Sequence, residues 1–223
     1  IICDFCEIGG KTKFALLRHD VEFSISRALS VAKLDSKKGI KSSFLFQVKS
    51  DAYNIFSTKN QNIIHEIMNF GHHVGLHFYV SHLSEFDWEG LSTELFNQQK
   101  AFEVATQRTI DRFSFHRPPR WVLEKRVDTM GGLINMYGPS YFEFQDHPKK
   151  IKYLADSKHR FSYGHPLEEM SHQKYQILLH PDEWTEAGLQ EGENFASLIN
   201  ESEKNFRCTL NTETKNFAKH HAL

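Results

Sequence analysis

Residues 18–22 read "RHDVE" and place four ionisable side chains in five positions, directly after the apolar run "ALL" at residues 15–17. Burying an unpaired charge is costly, so charges at the end of a buried strand need partners. Asp20 and Glu22 are two residues apart, so both carboxylates point to the same side of an extended chain. A histidine beside two such carboxylates would complete a set of ligands for a divalent metal.

Histidine is the second chemical signal, because the chain contains 14 of them and histidine is the commonest metal ligand and the usual acid or base at neutral pH. Polar side chains recur at the carboxyl ends of the predicted strands: His19, Asp20, Glu22, Gln47, His77, His82, His116, Arg117, Asp156 and His180. Ligands bind at the carboxyl ends of the strands in α/β barrels. The pattern therefore predicts one polar site at this rim, with a metal in it.

The elements that must position these residues alternate between short apolar runs and longer amphipathic ones. Strands are predicted in 14–21, 42–48, 72–80, 111–119, 151–157 and 174–181, and helices in 24–39, 58–71, 84–105 and 192–210. Ser24 is a plausible N-cap, and Gly39 and Gly71 end the first two helices. Such alternation is typical of βαβ units around a mostly parallel sheet. The expected fold class is α/β, a single-domain distorted or incomplete (β/α) barrel of about seven strands.

Composition excludes several classes of protein. Lysine plus arginine (27) nearly balance aspartate plus glutamate (28), which argues against a nucleic-acid partner bound by bulk electrostatics. The sequence contains no apolar run near 18 residues, so we expect no membrane span. Without a linker or an internal repeat, residues 1–223 are predicted to form one domain. The three cysteines favour a reducing, cytoplasmic location. Because the chain begins at Ile1, a signal peptide before it is left open.

Five segments, taken in order, resemble the motifs of one known family. They are "LLRHDVE", "GHHVGLHF", "SFHRPP", "LADSKHRFSYGHPLE" and "ILLHPDEW". Their succession is similar to that in NodB-homology polysaccharide deacetylases, and closest to the divergent branch associated with bacterial surface-polysaccharide biosynthesis. The resemblance spans about residues 14–184, with a C-terminal helix predicted over 190–220. It implies a metal-dependent deacetylase barrel that removes an N- or O-acetyl group from a polysaccharide, an oligosaccharide or a nucleotide-sugar precursor.

The resemblance also implies catalytic roles for four residues. Asp20 matches the catalytic base of the first motif. Arg117, before Pro118, matches the arginine that orients this base. His180 matches the histidine that acts as general acid, and Asp156 lies near the acidic residue that tunes it. Such acid–base steps each contribute typically about 10²–10⁴-fold in rate.

The metal ligands implied by the resemblance are Glu22, His77 and His82, and their spacing departs from the family pattern. The second acidic residue follows the first after one intervening residue, whereas the family has adjacent aspartates. The family's second histidine lies four residues after the first, where this chain has Ser81 and His82 follows one position later. His116 supplying the missing ligand and a metal that keeps more waters are the alternatives. A mixed carboxylate and imidazole set favours zinc.

Substrate contacts are predicted for His116, Tyr79 and Trp184, because aromatic side chains can stack on sugar rings. Trp88 and Trp121 are further candidates, although any of these aromatic side chains could equally belong to the core. Two alternative functions stay open at this point. One is a catalytically inactive carbohydrate-binding relative, and the other is another metal-dependent hydrolase such as a phosphoesterase, whose sites commonly hold two metals.

Overall fold

A computed structural model describes residues 1–80, 82–144, 149–169, 171–214 and 216–217 of the 223-residue chain. The chain divides into two compact units, Ile1–Trp184 and Thr185–Leu223. The first unit contains the sheet and every residue of the predicted site. One domain over 1–223 stays a prediction. No helix in the described residues is long and apolar enough to cross a membrane.

The sheet of the first unit has eight strands within the described residues, in the order β5-β6-β4-β3-β2-β1-β8-β7. Their bounds are β1 Phe14–Val21, β2 Ser43–Phe46, β3 His73–Tyr79, β4 Arg112–His116, β5 Thr129–Met130, β6 Leu133–Asn135, β7 Ile151–Ala155 and β8 Lys174–Leu179. All neighbours pair in parallel except β5 and β6. The result is a curled, incomplete barrel with flanking helices, which confirms the predicted fold class. The six predicted strands are present, and β5 and β6 are additional.

The helices of the first unit are α1 Ile25–Lys37, α2 Thr58–Asn69, α3 Trp88–Thr106 and the short α4 Arg120–Glu124. The predicted cap at Ser24 is present, since its side chain accepts a hydrogen bond from the backbone N–H of Arg27. The third helix begins four residues later than predicted, because Asp87 caps it by accepting from the N–H of Gly90. In the second unit, α5 spans Glu191–Glu213; residues 215 and 218–220 of the predicted 190–220 helix lie outside the described residues.

The alternation of side chains along β1 sorts its residues between two environments. His19 is completely buried on the helix side, where its Nε2 lies 2.8 Å from Oδ2 of Asp35 in α1. On the opposite face, Phe14 and Leu16 belong to an apolar cluster at the start of the strand. Arg18 and Asp20 follow on that same face and are also buried. The inner face of β1 therefore changes from apolar to charged toward its carboxyl end.

Gly75, in the middle of β3, is required by a close approach of the backbone. A Cβ atom at this position would lie 2.5 Å from the carbonyl oxygen of Arg112 and 2.8 Å from a methyl group of Leu45. No side chain fits there without movement of the neighbouring strands. This tight packing fixes β3 between β2 and β4, and so fixes the height at which His77 leaves the sheet.

Candidate metal centre and its surroundings

Asp20 forms a buried ion pair with Arg18, two residues before it on the same face of β1. Arg18 Nη2 lies 3.4 Å from Oδ2 of Asp20, and both side chains are at most 1% exposed. Arg18 Nη2 also donates a hydrogen bond of 2.8 Å to the hydroxyl of Tyr137. Burial alone would lower the pKa of Arg18, but the charge of Asp20 raises it above its ordinary value. The Asp20 carboxylate is thus paired with a fully charged arginine.

His77 lies between the two carboxylates of the first motif. Its Nδ1 is 2.8 Å from the hydroxyl of Ser114 and 3.5 Å from Oδ2 of Asp20. Its Nε2, on the other side of the ring, is 3.3 Å from Oε1 of Glu22. Ser114 in turn donates a hydrogen bond of 3.1 Å to Asp20 Oδ1. Asp20 and Ser114 therefore hold the imidazole so that Nε2 faces Glu22.

Three ligand-type side chains, Glu22, His77 and His116, converge beyond the carboxyl ends of the strands. Glu22 Oε1 is 2.9 Å from His116 Nδ1, and His116 Nδ1 is 3.0 Å from His77 Nε2. Burial would raise the pKa of Glu22, but hydrogen bonds from His116 and His77 hold it well below its usual range. The group is therefore an ionised carboxylate beside two imidazole nitrogens.

The chemistry and spacing of these donors fit a divalent metal. Bonds of about 2.0–2.1 Å to a tetrahedral zinc ion correspond to about 3.3 Å between ligand atoms. Glu22 Oε1 and His77 Nε2 are 3.3 Å apart, and the other two separations are slightly shorter. The Nδ1 of His77 is hydrogen-bonded to the Ser114 hydroxyl, which donates to Asp20, an outer partner of the kind that metal-bound histidines commonly have.

His82, predicted as a metal ligand, lies apart from this group. Its Nε2 faces Oε1 of Glu94 in α3 at 3.9 Å, and its side chain is 41% exposed. It follows the end of β3, whereas His116 is the last residue of β4 and pairs directly with Tyr79. In the structure, His116 thus stands where the motif spacing placed His82. His116, the alternative ligand considered from the sequence, is therefore the histidine that joins Glu22 and His77 in the converging group.

Arg117, predicted to orient Asp20, has a different environment. It is exposed and has a φ of 45°, a left-handed conformation that side chains other than glycine rarely adopt. No ion pair joins Arg117 to Asp20 in the described part of the chain, where Asp20 is instead paired with Arg18. The described residues therefore show no contact between Arg117 and Asp20, because residue 117 follows the end of β4 and is exposed, and the orienting role of Arg117 stays a prediction.

His180 and Asp156, from the ends of β8 and β7, form a second polar group at the same rim. His180 Nδ1 lies 2.7 Å from Oδ1 of Asp156, and the indole N–H of Trp184 donates to Oδ2 at 2.7 Å. His180 Nε2 is 3.9 Å from Oε1 of Glu22, which connects this group to the metal-ligand cluster. Burial lowers the pKa of His180, but the Asp156 carboxylate offsets it and raises the pKa to about 9.

An open pocket of about 470 Å³ lies over the cluster, within the usual size range of ligand sites. The residues that line it come from the ends of four strands and the loop after β2: Glu22, Phe23, Gln47, Lys49, Ser50, Asp51, Ala52, Tyr79, His116 and Arg117. Tyr79 and His116, predicted as substrate contacts, are among them. Trp184 is 48% exposed and is tied to Asp156.

The remaining two tryptophans pack against each other in the main apolar cluster. Trp88 and Trp121 have ring centroids 4.8 Å apart and join the main apolar cluster. Of the four aromatic side chains considered for sugar stacking, these two therefore belong to the core. Substrate contacts by Tyr79 and Trp184 stay a prediction.

Sequence reasoning gave no site role to four polar residues that shape the site. Arg18 and Ser114 each precede a site residue by two positions, so the alternation of a strand places them on the same face as Asp20 and His116. That signal was available in the sequence. Gln47 was noted only as a strand-end residue, and its Nε2 lies 3.2 Å from His116 Nδ1. Tyr137, by contrast, is 119 positions from Arg18 and had no local signal.

Comparison with known proteins gives structural matches only. No protein-family model matches the chain, and no curated protein sequence matches it. A CE4 family pseudoenzyme from Bacillus anthracis has a similar structure, with 14% identity and a TM-score of 0.50 over 88% of this chain and 62% of the other. A mutant of it gives 15% identity and a TM-score of 0.50, over 88% and 64%. A family 4 carbohydrate esterase from Streptomyces lividans in complex with acetate has 14% identity and a TM-score of 0.48, over 84% and 88%.

The chain thus spans less than two thirds of the length of the pseudoenzyme. At such identities the likeness concerns the fold. The pseudoenzyme is described as a CE4 family protein, and this chain has the CE4 fold, in agreement with the resemblance carried by the five sequence motifs.

Proposed function

We propose that the protein is a metal-dependent carbohydrate deacetylase that hydrolyses an N- or O-acetyl group. The observation that carries the proposal is the position of His180 and Asp156 beside the Glu22, His77 and His116 cluster at the rim of an open pocket. A metal-ligand set next to a histidine–carboxylate pair can supply the Lewis acid and the general acid for hydrolysis of an amide or ester. The fold and the order of the motifs support the carbohydrate class of substrate.

The metal would be held by Glu22 Oε1, His77 Nε2 and His116 Nδ1, and zinc suits this set. When bound, such an ion lowers the pKa of a water molecule from about 15.7 to about 7 and polarises the acetyl carbonyl. Asp20 does not reach the cluster directly; it orients His77 through Nδ1. The role of general base, which the resemblance implies for Asp20, stays a prediction.

His180 is the proposed general acid. Asp156 occupies its Nδ1, so the proton available for transfer is the one on Nε2, the nitrogen that faces Glu22. Transfer of this proton to the departing amine nitrogen, or to the alkoxide oxygen of an ester, would complete the cleavage as the acetyl carbon–heteroatom bond breaks. Trp184 fixes the other oxygen of Asp156, which keeps the carboxylate aligned with the ring.

A carbohydrate-binding protein without turnover is the second candidate, and the placement of Asp20 favours it. Asp20 is 1% exposed and contacts the ring atom of His77 opposite to the cluster, so it lies behind the ligand rather than beside the reacting groups. A two-metal phosphoesterase has less support, because the described residues contain one group of three metal-ligating side chains.

The test is release of acetate from acetylated oligosaccharides by the zinc-loaded protein, by the chelated protein and by His180→Ala. We expect acetate release from the zinc-loaded wild type, loss on chelation, and a decrease of about 10²–10⁴-fold in His180→Ala. Tight binding of an oligosaccharide without any acetate release would instead favour the binding protein. Release that is unchanged in His180→Ala would contradict the role of His180.

A further inference from the structure

Arg117 has no acidic partner although it lines the pocket beside a proposed metal ligand. It follows His116 directly and is exposed. In the described part of the chain its side chain forms no hydrogen bond or ion pair, and Asp20 is paired with Arg18 instead. Its guanidinium is thus available to a ligand in the pocket.

The backbone at Arg117 is held in an unusual conformation. Its φ of 45° lies in the left-handed region, and it is followed by Pro118 and Pro119, which restrict the chain on the other side. Residues in sparsely populated backbone regions concentrate at ligand-binding sites, where the surrounding structure maintains the strain. The backbone therefore fixes the position of the Arg117 Cβ atom at the pocket wall.

The other charged groups of the pocket are already compensated or solvated. Lys49 forms an ion pair with Glu94 at 2.5 Å, and Glu22 is engaged by His77 and His116. Asp51 lies exposed at the rim. Among the described residues that line this pocket, Arg117 is the cationic side chain without an ion pair, so its guanidinium can pair directly with an anionic group of a ligand.

We propose that Arg117 binds an oxyanion of the substrate, a carboxylate or a phosphate, so that the pocket selects an acidic carbohydrate. The guanidinium fork matches both groups, because it donates two parallel hydrogen bonds to a pair of oxygens. The substrate class rests on the proposed function, but the anion site does not depend on turnover. A uronic acid would supply the carboxylate and a nucleotide sugar would supply the phosphate.

The experiment measures equilibrium binding of three probes to the zinc-loaded full chain by calorimetry at fixed ionic strength. The probes are a neutral N-acetylglucosamine tetrasaccharide, a hyaluronan tetrasaccharide that carries carboxylates, and UDP-N-acetylglucosamine, which carries phosphates. Each is tested with wild type, Arg117→Gln, Arg117→Lys and Arg120→Gln. Arg120 is the matched control, because it lies three residues further along, is exposed and is already paired with Glu124 at 2.7 Å.

We expect the wild type to bind one of the two acidic probes more tightly than the neutral one. Arg117→Gln should weaken that binding by about 10- to 100-fold, the worth of a charge-assisted hydrogen bond. Arg117→Lys should recover part of this loss, and Arg120→Gln should change nothing. The probe that responds identifies carboxylate or phosphate as the recognised group.

Three results would overturn the anion site: no preference for an acidic probe, no binding of any probe, or an equal loss of acidic and neutral binding in Arg117→Gln. Failure of the proposed function looks different. If acidic binding depends on Arg117 but no probe releases acetate, the anion site stands and the deacetylase does not. If acetate release is independent of probe charge and of Arg117, the deacetylase stands and the anion site does not.

Discussion

Asp156 holds His180 at two points, the ring and the backbone. Its Oδ1 lies 2.7 Å from the ring Nδ1, and its Oδ2 accepts the backbone N–H of His180 at 2.9 Å. Since the two residues end the neighbouring strands β7 and β8, the register of the sheet itself brings them together. The imidazole orientation is therefore determined before any ligand enters the pocket.

Replacing Asp156 by Asn should lower the pKa of His180. In the metal-free wild type the Asp156 carboxylate offsets the effect of burial and raises this pKa to about 9, with smaller contributions from Glu22 and Asp20. A neutral amide removes the Asp156 charge while burial remains, so the pKa should fall. The raised pKa stabilises the folded state below about pH 6.5, and this contribution is lost as the pH rises through about 9. NMR titration of the His180 ring measures the shift.

Trp184→Phe is the matched control for Asp156→Asn. It removes the indole hydrogen bond to Oδ2 and keeps the carboxylate charge. We expect a much smaller change in the pKa of His180 than in Asp156→Asn. An unchanged pKa in Asp156→Asn would show that the ion pair does not govern the protonation of His180.

Metal content should distinguish His116 from His82. His116→Ala removes one of three converging ligands and should reduce zinc affinity by more than the roughly 10–100-fold typical of an outer-sphere partner. His82→Ala should retain about one ion per chain, because His82 faces Glu94 and not the cluster. Elemental analysis after dialysis against a buffer of set free zinc measures both. Retention by His116→Ala together with loss by His82→Ala would restore the ligand set expected from the motif spacing.

Arg18 and Arg117 should differ sharply in their contribution to stability. Arg18→Met leaves the buried Asp20 carboxylate without its cation, and removing one member of a buried pair typically costs about 3–5 kcal/mol. Arg117→Met changes an exposed side chain without a protein partner and should stay within about 0.5 kcal/mol. Urea unfolding of the two variants gives the comparison. Similar losses in both would mean that Arg117 does support Asp20.

The strands and their polar ends were predictable because both depend on local patterns. A period of two along β1 places Asp20 and Glu22 on one side, and parallel pairing brings His77, His116 and His180 to the same rim. The choice between His82 and His116 was not predictable from spacing, because it depends on where the chain leaves β3 relative to β4. Tyr137 could not be found at all, since only the folded sheet brings it to Arg18.

Gly75 tests whether the spacing of the central strands controls the site. In Gly75→Ala the added methyl group meets the Arg112 carbonyl and the Leu45 side chain at under 3 Å, and overpacking of this kind typically costs about 1–3 kcal/mol. Because His77 is two residues further along β3, the same displacement should weaken zinc binding. Gly192→Ala, in the first turn of α5 with nothing within 4 Å of the added Cβ, should be neutral or slightly stabilising. Thermal unfolding and zinc titration of the two variants measure both effects, and unchanged zinc affinity in a folded Gly75→Ala would show that the His77 position tolerates movement of β3.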